Sequence, residues 1–384
     1  MADNNENKVL NVPHLRFPEF SGEWKMATFG DIAKGFDYGM NAAAKSFDGN
    51  NKYIRITDID EVSSQYLYDD VVSPDGELED RYLVKENDIL LARTGASTGK
   101  SYLYRNSDGK LYFAGFLIRA NIYKHNSYFV FSQLHTLRYK KWISVMSARS
   151  GQPGINSQEY ASFPVYTTSL QEEDKIATFL KLLDERIITQ NKIIEDLKLL
   201  KSAIRKKVFV SLKEEHTESC EINQLLTYEQ PTAYIVTNDE YSTDTTLIPV
   251  LTANKGFVLG YTDEDFSIYQ KGECIIFDDF TMDAKYVSFP FKVKSSAIKI
   301  LTAKPNVNLR FMFEYLSYLE LKSEEHKRHY ISEIASLVVE LPSKEMQNKI
   351  ASLMTSLDNK LALEENTKVK YEDEKQYQLS QMFI

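Results

Sequence analysis

Short runs of apolar and β-branched residues, bounded by turn residues, make up the chain from Trp24 to about Pro164. The runs include Lys52–Ile56 and Asp88–Ala92, and turn residues interrupt the series at positions such as Ser73–Gly76. This pattern predicts β-strands joined by turns. Between Tyr128 and about Met146 the pattern predicts a helix instead.

A second β-rich stretch, from about residue 219 to 342, repeats the order of the first and ends in a predicted helix at Arg310–Leu321. We therefore predict two diverged copies of one structural unit. Three runs of the second stretch correspond to three of the first: Leu247–Leu251 to Tyr53–Ile56, Lys271–Phe277 to Lys85–Leu91, and Ala297–Leu301 to Phe116–Ala120.

Each β-rich stretch is followed by a long segment with helical spacing, and the two segments share sequence. Lys175–Ala177 recurs as Lys349–Ala351, a spacing of 174 residues, and Leu183-Asp184 recurs as Leu357-Asp358. The chain is therefore predicted to alternate a globular unit, a long helix, a second globular unit and a second long helix.

The first long segment carries an apolar seam whose members are spaced alternately four and three residues apart, broken only by Gln190 and Lys201. This period of about 3.5 residues is typical of a coiled coil. The second segment keeps a matching seam as far as Leu361 and then weakens. We predict that the two helices pack on each other in antiparallel orientation; two separate helices, each docked on its own domain, are the alternative. The first seam consists of Ile176, Leu180, Leu183, Ile187, Gln190, Ile194, Leu197, Lys201, Ile204 and Val208.

The predicted fold class is α+β, with two repeated β-rich domains separated by two long antiparallel coiled-coil helices in a pseudo-twofold arrangement. Some 40 helical residues at about 1.5 Å each span roughly 60 Å. That is the length of about 15–18 base pairs of B-DNA, so the shape suits contact with two places on one extended partner. The predicted boundaries are 1–19 for an N-terminal extension, 20–168 and 213–342 for the domains, and 169–212 and 343–384 for the helices.

The composition is that of an ordinary globular protein, with 43% apolar and 26% charged residues and a net charge of −9. The acidic balance disfavours indiscriminate nucleic-acid binding but allows a locally basic face. We expect no membrane span and no secretory signal. Cys220 and Cys274 lack metal-ligand spacing and are expected to be buried thiols in a reducing cytoplasm.

Several strings at the predicted junctions resemble the specificity subunits of type I restriction–modification systems, and the resemblance extends over nearly the whole chain. The junction Pro164–Leu170 departs from the family pattern, because relatives often carry a second proline pair there. This departure leaves the start of the first long helix open. The strings are Val12–Phe20 followed by Gly22–Trp24, Phe163-Pro164 leading into Gln171–Ala177, Leu341-Pro342 leading into Gln347–Ile350, and His329–Ser332.

This resemblance implies that each β-rich domain is a target-recognition domain for one half of an interrupted DNA sequence, and that the helices fix the spacing. It implies two methyltransferase subunits, which carry S-adenosylmethionine and the chemistry, and restriction subunits, which hydrolyse ATP and cut DNA. The chain itself would have no cofactor and no catalytic activity. A coiled-coil adaptor that joins two proteins without nucleic acid is the alternative, which the negative net charge slightly favours.

The loop Arg93–Ser101 superficially resembles a phosphate-binding loop. Gly95 and Gly99 enclose three residues where that motif needs four, and the sequence after the loop predicts a strand rather than a helix. An NTPase that uses Lys100 is therefore the third-ranked function. The hydroxyls and cations of this loop suit phosphates and base edges, although an ordinary surface hairpin remains open. The candidate DNA contacts are Arg93, Thr94, Ser97, Thr98 and Lys100.

A second polar loop, Ser147–Gln158, precedes the first junction. Arg149 has the donor geometry for guanine, and Gln152 or Asn156 could pair with adenine. In the second unit, the corresponding loop is Lys322–Tyr330; a solvated turn remains the alternative for each residue. The second-unit candidates are Lys327, Arg328, His329 and Tyr330, with Lys255 and Lys285 as weaker candidates for phosphate contact.

Catalytic motifs find little support in the sequence. Asp278-Asp279 is a carboxylate pair after a predicted strand, where a strand-end turn is favoured over a metal site. No Asn-Pro-Pro-Tyr-type methyltransferase string occurs, so base methylation would come from a partner. The histidines show no metal-ligand spacing: His14, His125, His135, His216, His326 and His329.

Overall fold

The computed structural model describes residues 10–148, 154–212, 217–252, 256–321 and 330–384, except for the side chains of residues 331 and 332. The chain divides into two compact units. The first unit comprises Met1–Thr189 with Thr367–Ile384, and the second comprises Gln190–Asn366. Each unit contains one β-rich domain and a segment of each of two long helices.

The first β-rich domain combines short strands with four short α-helices among its described residues. Its strands are β1 (Lys25–Thr28), β2 (Ala33–Tyr38), β3 (Ala43–Ser46), β4 (Lys52–Ile54), β5 (Val72–Asp75), β6 (Asp88–Ala92), β7 (Ser101–Leu103), β8 (Leu111–Phe113), β9 (Leu117–Ile122) and β10 (Pro164–Thr167). Its helices are α1 (Phe29–Ile32), α2 (Ser127–Gln133), α3 (Leu137–Ser147) and α4 (Ser157–Ala161), and the long helix α5 (Leu170–Ser211) follows.

The second β-rich domain has fewer described helices than the first, and it leads into the second long helix. Its strands are β11 (Glu218–Glu221), β12 (Leu226–Glu229), β13 (Ile248–Leu251), β14 (Val258–Thr262), β15 (Cys274–Asp278), β16 (Ala284–Val287), β17 (Lys292–Val293), β18 (Ile298–Ala303) and β19 (Val338–Leu341). Its helices are α6 (Ile222–Leu225) and α7 (Leu309–Tyr318), followed by the long helix α8 (Lys344–Met382).

The two domains share one sheet plan, which confirms the predicted repeat. The main sheet has the strand order β2-β9-β6-β7 in the first domain and β12-β18-β15-β16 in the second. Each domain also contains a parallel strand pair, β4 with β8 and β13 with β17. The first and last strands of each domain pair in antiparallel fashion, β1 with β10 and β11 with β19. Both ends of each domain therefore meet beside a long helix.

The helix predicted over residues 128–146 is two helices, α2 and α3, because polar caps interrupt it. The Asn126 side chain accepts the backbone N–H groups of Tyr128 and Phe129 and starts α2. The Thr136 hydroxyl accepts the N–H of Tyr139 and starts α3. A threonine side chain competes with the backbone for hydrogen bonds and therefore favours a helix start over a helix interior.

The two long helices pack along the predicted seams. Helix α5 has 42 residues and helix α8 has 39, and the seam positions of both are buried or half-buried. In the first unit, Ile176 and Leu180 share a core with Leu379 and Phe383. In the second unit, the Gln190 amide donates to the main-chain oxygen of Glu364 at 3.1 Å. Sequence numbers rise along one helix as they fall along its partner, so the antiparallel packing is confirmed within each unit.

An ion pair beside the seam occurs once in each unit. Lys375 Nζ lies 2.5 Å from Asp184 Oδ1 in the first unit. In the second unit, Lys201 pairs with Asp358. Each aspartate directly follows a leucine of the repeated Leu-Asp sequence, so the same position in both repeats supplies the acid.

The residues that precede β1 are attached to helix α5 through Glu172, whose side chain is 1% exposed. Arg16 Nε and Nη2 donate to its two carboxylate oxygens at 2.7 and 2.8 Å. Trp24 Nε1 donates at 3.2 Å and Thr168 Oγ1 at 2.5 Å. Burial raises the pKa of Glu172, but these hydrogen bonds outweigh it, and the pKa lies below its usual value.

Replacing Glu172 with glutamine is expected to lower the free energy of unfolding by about 1.5 kcal/mol at pH 7, because the charged acceptor is lost. The pKa of Glu172 is lower in the folded chain than in the unfolded chain. The contribution of the carboxylate is therefore complete above about pH 5 and disappears as the pH falls through the folded pKa. Urea unfolding of both proteins at several pH values measures this difference, and a gap that stays constant down to pH 3 would contradict the assignment.

Two further expectations from the sequence concern the cysteines and membrane-spanning helices. Cys220 and Cys274 are free thiols in the core, and burial raises the pKa of Cys274 to about 12. Among the described residues, no helix combines the length and the apolar character that crossing a membrane would require.

Candidate nucleic-acid interface

Two sequence segments predicted to contact DNA meet in the first domain. Thr94 forms an isolated antiparallel bridge with Gly154. The N–H of Ile155 donates to the main-chain oxygen of Arg93 at 2.9 Å. The structure thus brings Arg93 and Thr94 beside Asn156, and the three residues line one depression of about 340 Å³.

The loop after β6 is a tight turn followed by a strand. Gly95 has a φ of 71°, a backbone conformation that favours glycine. The Thr98 hydroxyl donates to the main-chain oxygen of Gly95 at 2.8 Å. The chain then enters strand β7 at Ser101 rather than a helix. The loop therefore lacks the helix N-terminus on which a phosphate-binding loop depends.

The far end of this loop lies in a different environment from Arg93. Lys100 Nζ pairs with Glu61 at 2.9 Å. Thr98 and Lys100 line a separate depression with His135, which is not part of the depression around Asn156. Burial lowers the pKa of His135 to about 3, so this imidazole is neutral at pH 7. Lys100 is consequently a weaker candidate than Arg93 for contact with a phosphate, because a carboxylate already neutralises it.

Asn156 uses part of its side chain to start helix α4. Its Oδ1 accepts the N–H of Glu159 at 2.9 Å, and the Glu159 carboxylate accepts the N–H of Asn156 at 2.8 Å. This reciprocal arrangement is a capping box, which fixes the rotamer of the asparagine. Asn156 is exposed, and its side-chain amide nitrogen is a hydrogen-bond donor.

An aromatic platform beside Arg93 was not predicted from the sequence. The Arg93 guanidinium lies over the ring of Tyr38, 4.8 Å from the centroid. The N–H of Ser157 donates to the Tyr38 hydroxyl at 3.2 Å. This hydrogen bond and the charge of Arg93 lower the pKa of Tyr38. Tyr38 ends β2, far from Arg93 in sequence, so only the folded sheet reveals their contact.

The candidates of the second domain are distributed differently. Lys285 lies on β16, with Nζ 3.4 Å from Asp283 Oδ2 and its side chain 43% exposed. Tyr330 is 1% exposed and packs between Tyr228 and Phe277. The structure therefore corrects the prediction that Tyr330 contacts DNA, because the large ring fills the core. Six candidates lie outside the described residues: Arg149, Gln152, Lys255, Lys327, Arg328 and His329.

The two carboxylates at the end of β15 make local contacts within the protein. Asp278 Oδ1 accepts the N–H groups of Phe280 and Thr281 at 2.8 and 3.1 Å. Asp279 lies 3.2 Å from the ammonium of Lys299, and both are 1% exposed. Among the described residues, no group of three His, Cys, Asp or Glu side chains is arranged to hold a metal ion.

The same polar clamp attaches each domain to a long helix. In the first unit, the N–H of Asn126 donates to Glu173 on α5 at 2.9 Å. In the second unit, the N–H of Asn308 donates to Gln347 on α8 at 2.8 Å. Both asparagines also cap the following helix, α2 or α7. The clamp holds each β-rich domain on a long helix, of 42 residues in the first unit's case and 39 in the second's.

A family model described as "Type I restriction modification DNA specificity domain" matches the chain twice, over residues 21–199 and 214–372. The chain is 39% identical over 142 residues to the type I restriction enzyme EcoR124I/EcoR124II specificity subunit of Escherichia coli, covering 35% of each chain. It is 25% identical over 219 residues to the MjaVIII specificity subunit of Methanocaldococcus jannaschii, covering 55% of this chain and 47% of the relative. The matches thus span about a third and about half of these curated relatives.

Solved structures share the fold at low sequence identity. The S subunit of a type I restriction–modification system from M. genitalium has a TM-score of 0.64 and 15% identity, with 97% of this chain and 99% of that chain covered. A chain from a structure concerning complex assembly and conformational transition of the type I R-M system has a TM-score of 0.55 and 13% identity, with the same coverage.

Proposed function

The chain belongs to the family of type I restriction–modification DNA specificity domains, and from this membership we propose that it reads a bipartite DNA sequence for a methyltransferase complex. Each β-rich domain binds one half of the sequence, and the long helices set the interval between the halves. The observation that carries the proposal is the common sheet plan of the two domains, each clamped to a long helix through an equivalent asparagine.

The proposed partners follow from the family to which the chain belongs. Two methyltransferase subunits bind the helices and carry S-adenosylmethionine, and restriction subunits join that core. The chain contributes recognition and spacing but no catalytic group. Outward-facing apolar residues on both long helices, such as Leu199, Leu200 and Leu363, are 69%, 48% and 58% exposed and suit such protein contacts.

Local charge supports DNA recognition in spite of the net charge of −9. Arg93, Thr94 and Asn156 come together from two loops and offer a cation, a hydroxyl and an amide. These are the groups that contact phosphates and base edges in protein–DNA complexes. An acidic protein with a few such groups binds DNA through its specific surface and through its partners rather than through overall charge.

Expression of the chain with its cognate methyltransferase is expected to produce adenine methylation at one split DNA sequence. Single-molecule sequencing of the host genome measures this pattern directly. A host that expresses the methyltransferase alone is the control and should lack the pattern. The proposal fails if no split motif depends on the chain.

Binding of the assembled complex to a duplex that contains the motif separates this function from that of a protein adaptor. Each phosphate contact releases counterions, so the affinity should fall steeply between about 50 and 200 mM salt. Filter binding at the two salt concentrations measures the slope. An adaptor without nucleic-acid affinity would retain no duplex at either concentration.

A further inference from the structure

Arg93 differs from most arginines of the described chain because no described carboxylate neutralises it. Its Nε has no hydrogen-bond partner among the residues that the structure describes. The guanidinium instead lies over the face of the Tyr38 ring. The arginines that form ion pairs with carboxylates are Arg16, Arg55, Arg81, Arg119, Arg205 and Arg310.

Tyr38 holds Arg93 in a fixed plane. A guanidinium that stacks on an aromatic ring keeps the edge of its fork free for hydrogen bonds. Tyr38 is fixed in turn by the N–H of Ser157, which donates to its hydroxyl. The backbone of Arg93 is also fixed, because its main-chain N–H donates to the main-chain oxygen of Phe116 at 3.1 Å. Stack and backbone contacts thus restrict the guanidinium before any ligand arrives.

The surroundings of Arg93 are concave and partly aromatic. Arg93, Tyr38 and Phe116 line a depression of about 690 Å³. The aromatic side chains at its edge are 42% exposed for Tyr38 and 60% exposed for Phe116. On its other side, Arg93 lines the depression that contains Thr94 and Asn156. The arginine therefore lies between an aromatic surface and a hydrogen-bonding surface.

We propose that Arg93 reads a guanine in the half-site bound by the first domain, and that Tyr38 is the positioning residue for this contact. An arginine fork matches guanine O6 and N7 in the major groove through two parallel hydrogen bonds. Lysine, a point charge, cannot reproduce that pair. The inference rests on the proposed function and adds the identity of one base and of the residue that selects it.

The decisive variant is Arg93→Lys, which keeps the charge and removes the fork. With the cognate methyltransferase, it should still require the other half-site but lose discrimination at one G·C position by about 5- to 150-fold. Methylome sequencing identifies the relaxed position. Methylation rates on duplexes with each base pair at that position give the fold-change.

Changes at Tyr38 separate positioning from contact. Tyr38→Leu keeps apolar bulk but removes the aromatic face, so it should relax the same G·C position as Arg93→Lys. Tyr38→Phe keeps the face and should retain most of the discrimination. A role of Tyr38 in stability alone would reduce methylation equally on all duplexes, which a thermal unfolding midpoint measured for each variant would reveal.

Arg81→Lys is the matched control, because Arg81 also stacks on a tyrosine, Tyr82, but forms an ion pair with Glu79. It should leave the motif unchanged. The inference is overturned if Arg93→Lys preserves discrimination at every position, or weakens methylation of all sequences alike as a phosphate contact would. Failure of the wild-type chain to direct any split motif would overturn the proposed function as well, so the two failures are distinguishable.

Discussion

Replacing Glu314 with alanine is expected to lower the free energy of unfolding by about 3–5 kcal/mol, the range found when one partner of a buried ion pair is removed. Glu314 lies on α7, and its side chain is fully buried. Two arginines and one lysine face it: Arg205, Arg310 and Lys201. Without the carboxylate, these cations repel one another in a region with little access to water.

The contacts of Glu314 explain the large expected loss of stability. Arg205 Nε donates to Oε2 of Glu314 at 2.9 Å, and Arg205 Nη2 lies 2.8 Å from the same oxygen. Arg310 Nη2 donates to Oε1 of Glu314 at 2.6 Å, and Lys201 Nζ lies 3.6 Å from Oε1. Asp358 is the second acid of the cluster and pairs with Lys201 and Arg310. Removal of Glu314 leaves one described carboxylate for three cations.

In the first unit, uncharged residues occupy the positions that correspond to Glu314 and its two arginines. Counted from the capping asparagines Asn126 and Asn308, Ser132 stands where Glu314 stands and Tyr128 stands where Arg310 stands. At the repeat spacing of 174 residues, Leu379 corresponds to Arg205. The acid–lysine pair is the part that both units keep.

The corresponding residues of the first unit provide a control variant for Glu314→Ala. The triple variant Glu314→Ser, Arg205→Leu, Arg310→Tyr introduces the first unit's residues into the second unit. It should recover most of the stability lost in Glu314→Ala, because a buried ion cluster can be replaced by well-packed apolar groups at little cost. Thermal and urea unfolding measure both variants. A loss below about 1 kcal/mol for Glu314→Ala would show that water screens the cluster.

The sequence predicted the features that depend on periodicity. Ile176, Leu180 and Leu183 lie on the seam because their spacing places them on one helix face, and all three are buried in the structure. The repeat was visible because the strands kept their apolar order. Even the polar member Gln190 was recognisable as an interruption, and it contacts Glu364, its own counterpart in the second repeat.

The features that escaped prediction depend on side chains that meet only after folding. Tyr330 looks like part of a polar loop in the sequence, yet it lies in the core. Arg93 and Tyr38 are brought together by the sheet, and no local pattern joins them. Alignment of Asn126 with Asn308 would have provided a usable signal for the clamps, since both asparagines precede an aromatic-rich helix.

The two clamps differ at one side-chain atom, because Glu173 has a carboxylate oxygen where Gln347 has an amide nitrogen. In the first unit, Glu173 accepts the N–H groups of Asn126 and Thr168 at 2.9 and 3.2 Å, and His125 Nδ1 lies 2.8 Å away. All of these neighbours can donate, so a carboxylate fits. The side chain of Glu173 is fully buried.

In the second unit, the position of Thr168 is taken by Pro342, which has no N–H. The Gln347 amide therefore donates to the main-chain oxygen of Pro342 at 2.9 Å and accepts the N–H of Asn308 at 2.8 Å. The amide of Gln347 therefore suits surroundings that contain one donor and one acceptor. The carboxylate of Glu173 suits surroundings in which every neighbour can donate. Gln347 is 1% exposed, so water cannot repair a mismatch.

Gln347→Glu is therefore expected to lower the free energy of unfolding by about 2–4 kcal/mol at pH 7, because a buried carboxylate would face the Pro342 oxygen. The pKa of the new carboxyl should lie higher in the folded chain than in the unfolded chain, since its protonated form can donate to that oxygen. The folded state then binds the proton more tightly, so the deficit should shrink as the pH falls toward about 4.

Pro342→Thr provides the rescue, because it restores the N–H that Thr168 supplies in the first unit. The double variant Pro342→Thr, Gln347→Glu should be more stable at pH 7 than the sum of the single changes predicts, by about 1–3 kcal/mol of coupling. Urea unfolding of the four proteins of this cycle measures the coupling. Additive effects would mean that the acceptor facing Gln347 does not select the amide. The match between each clamp residue and its neighbours would then not explain why the two repeats carry different residues.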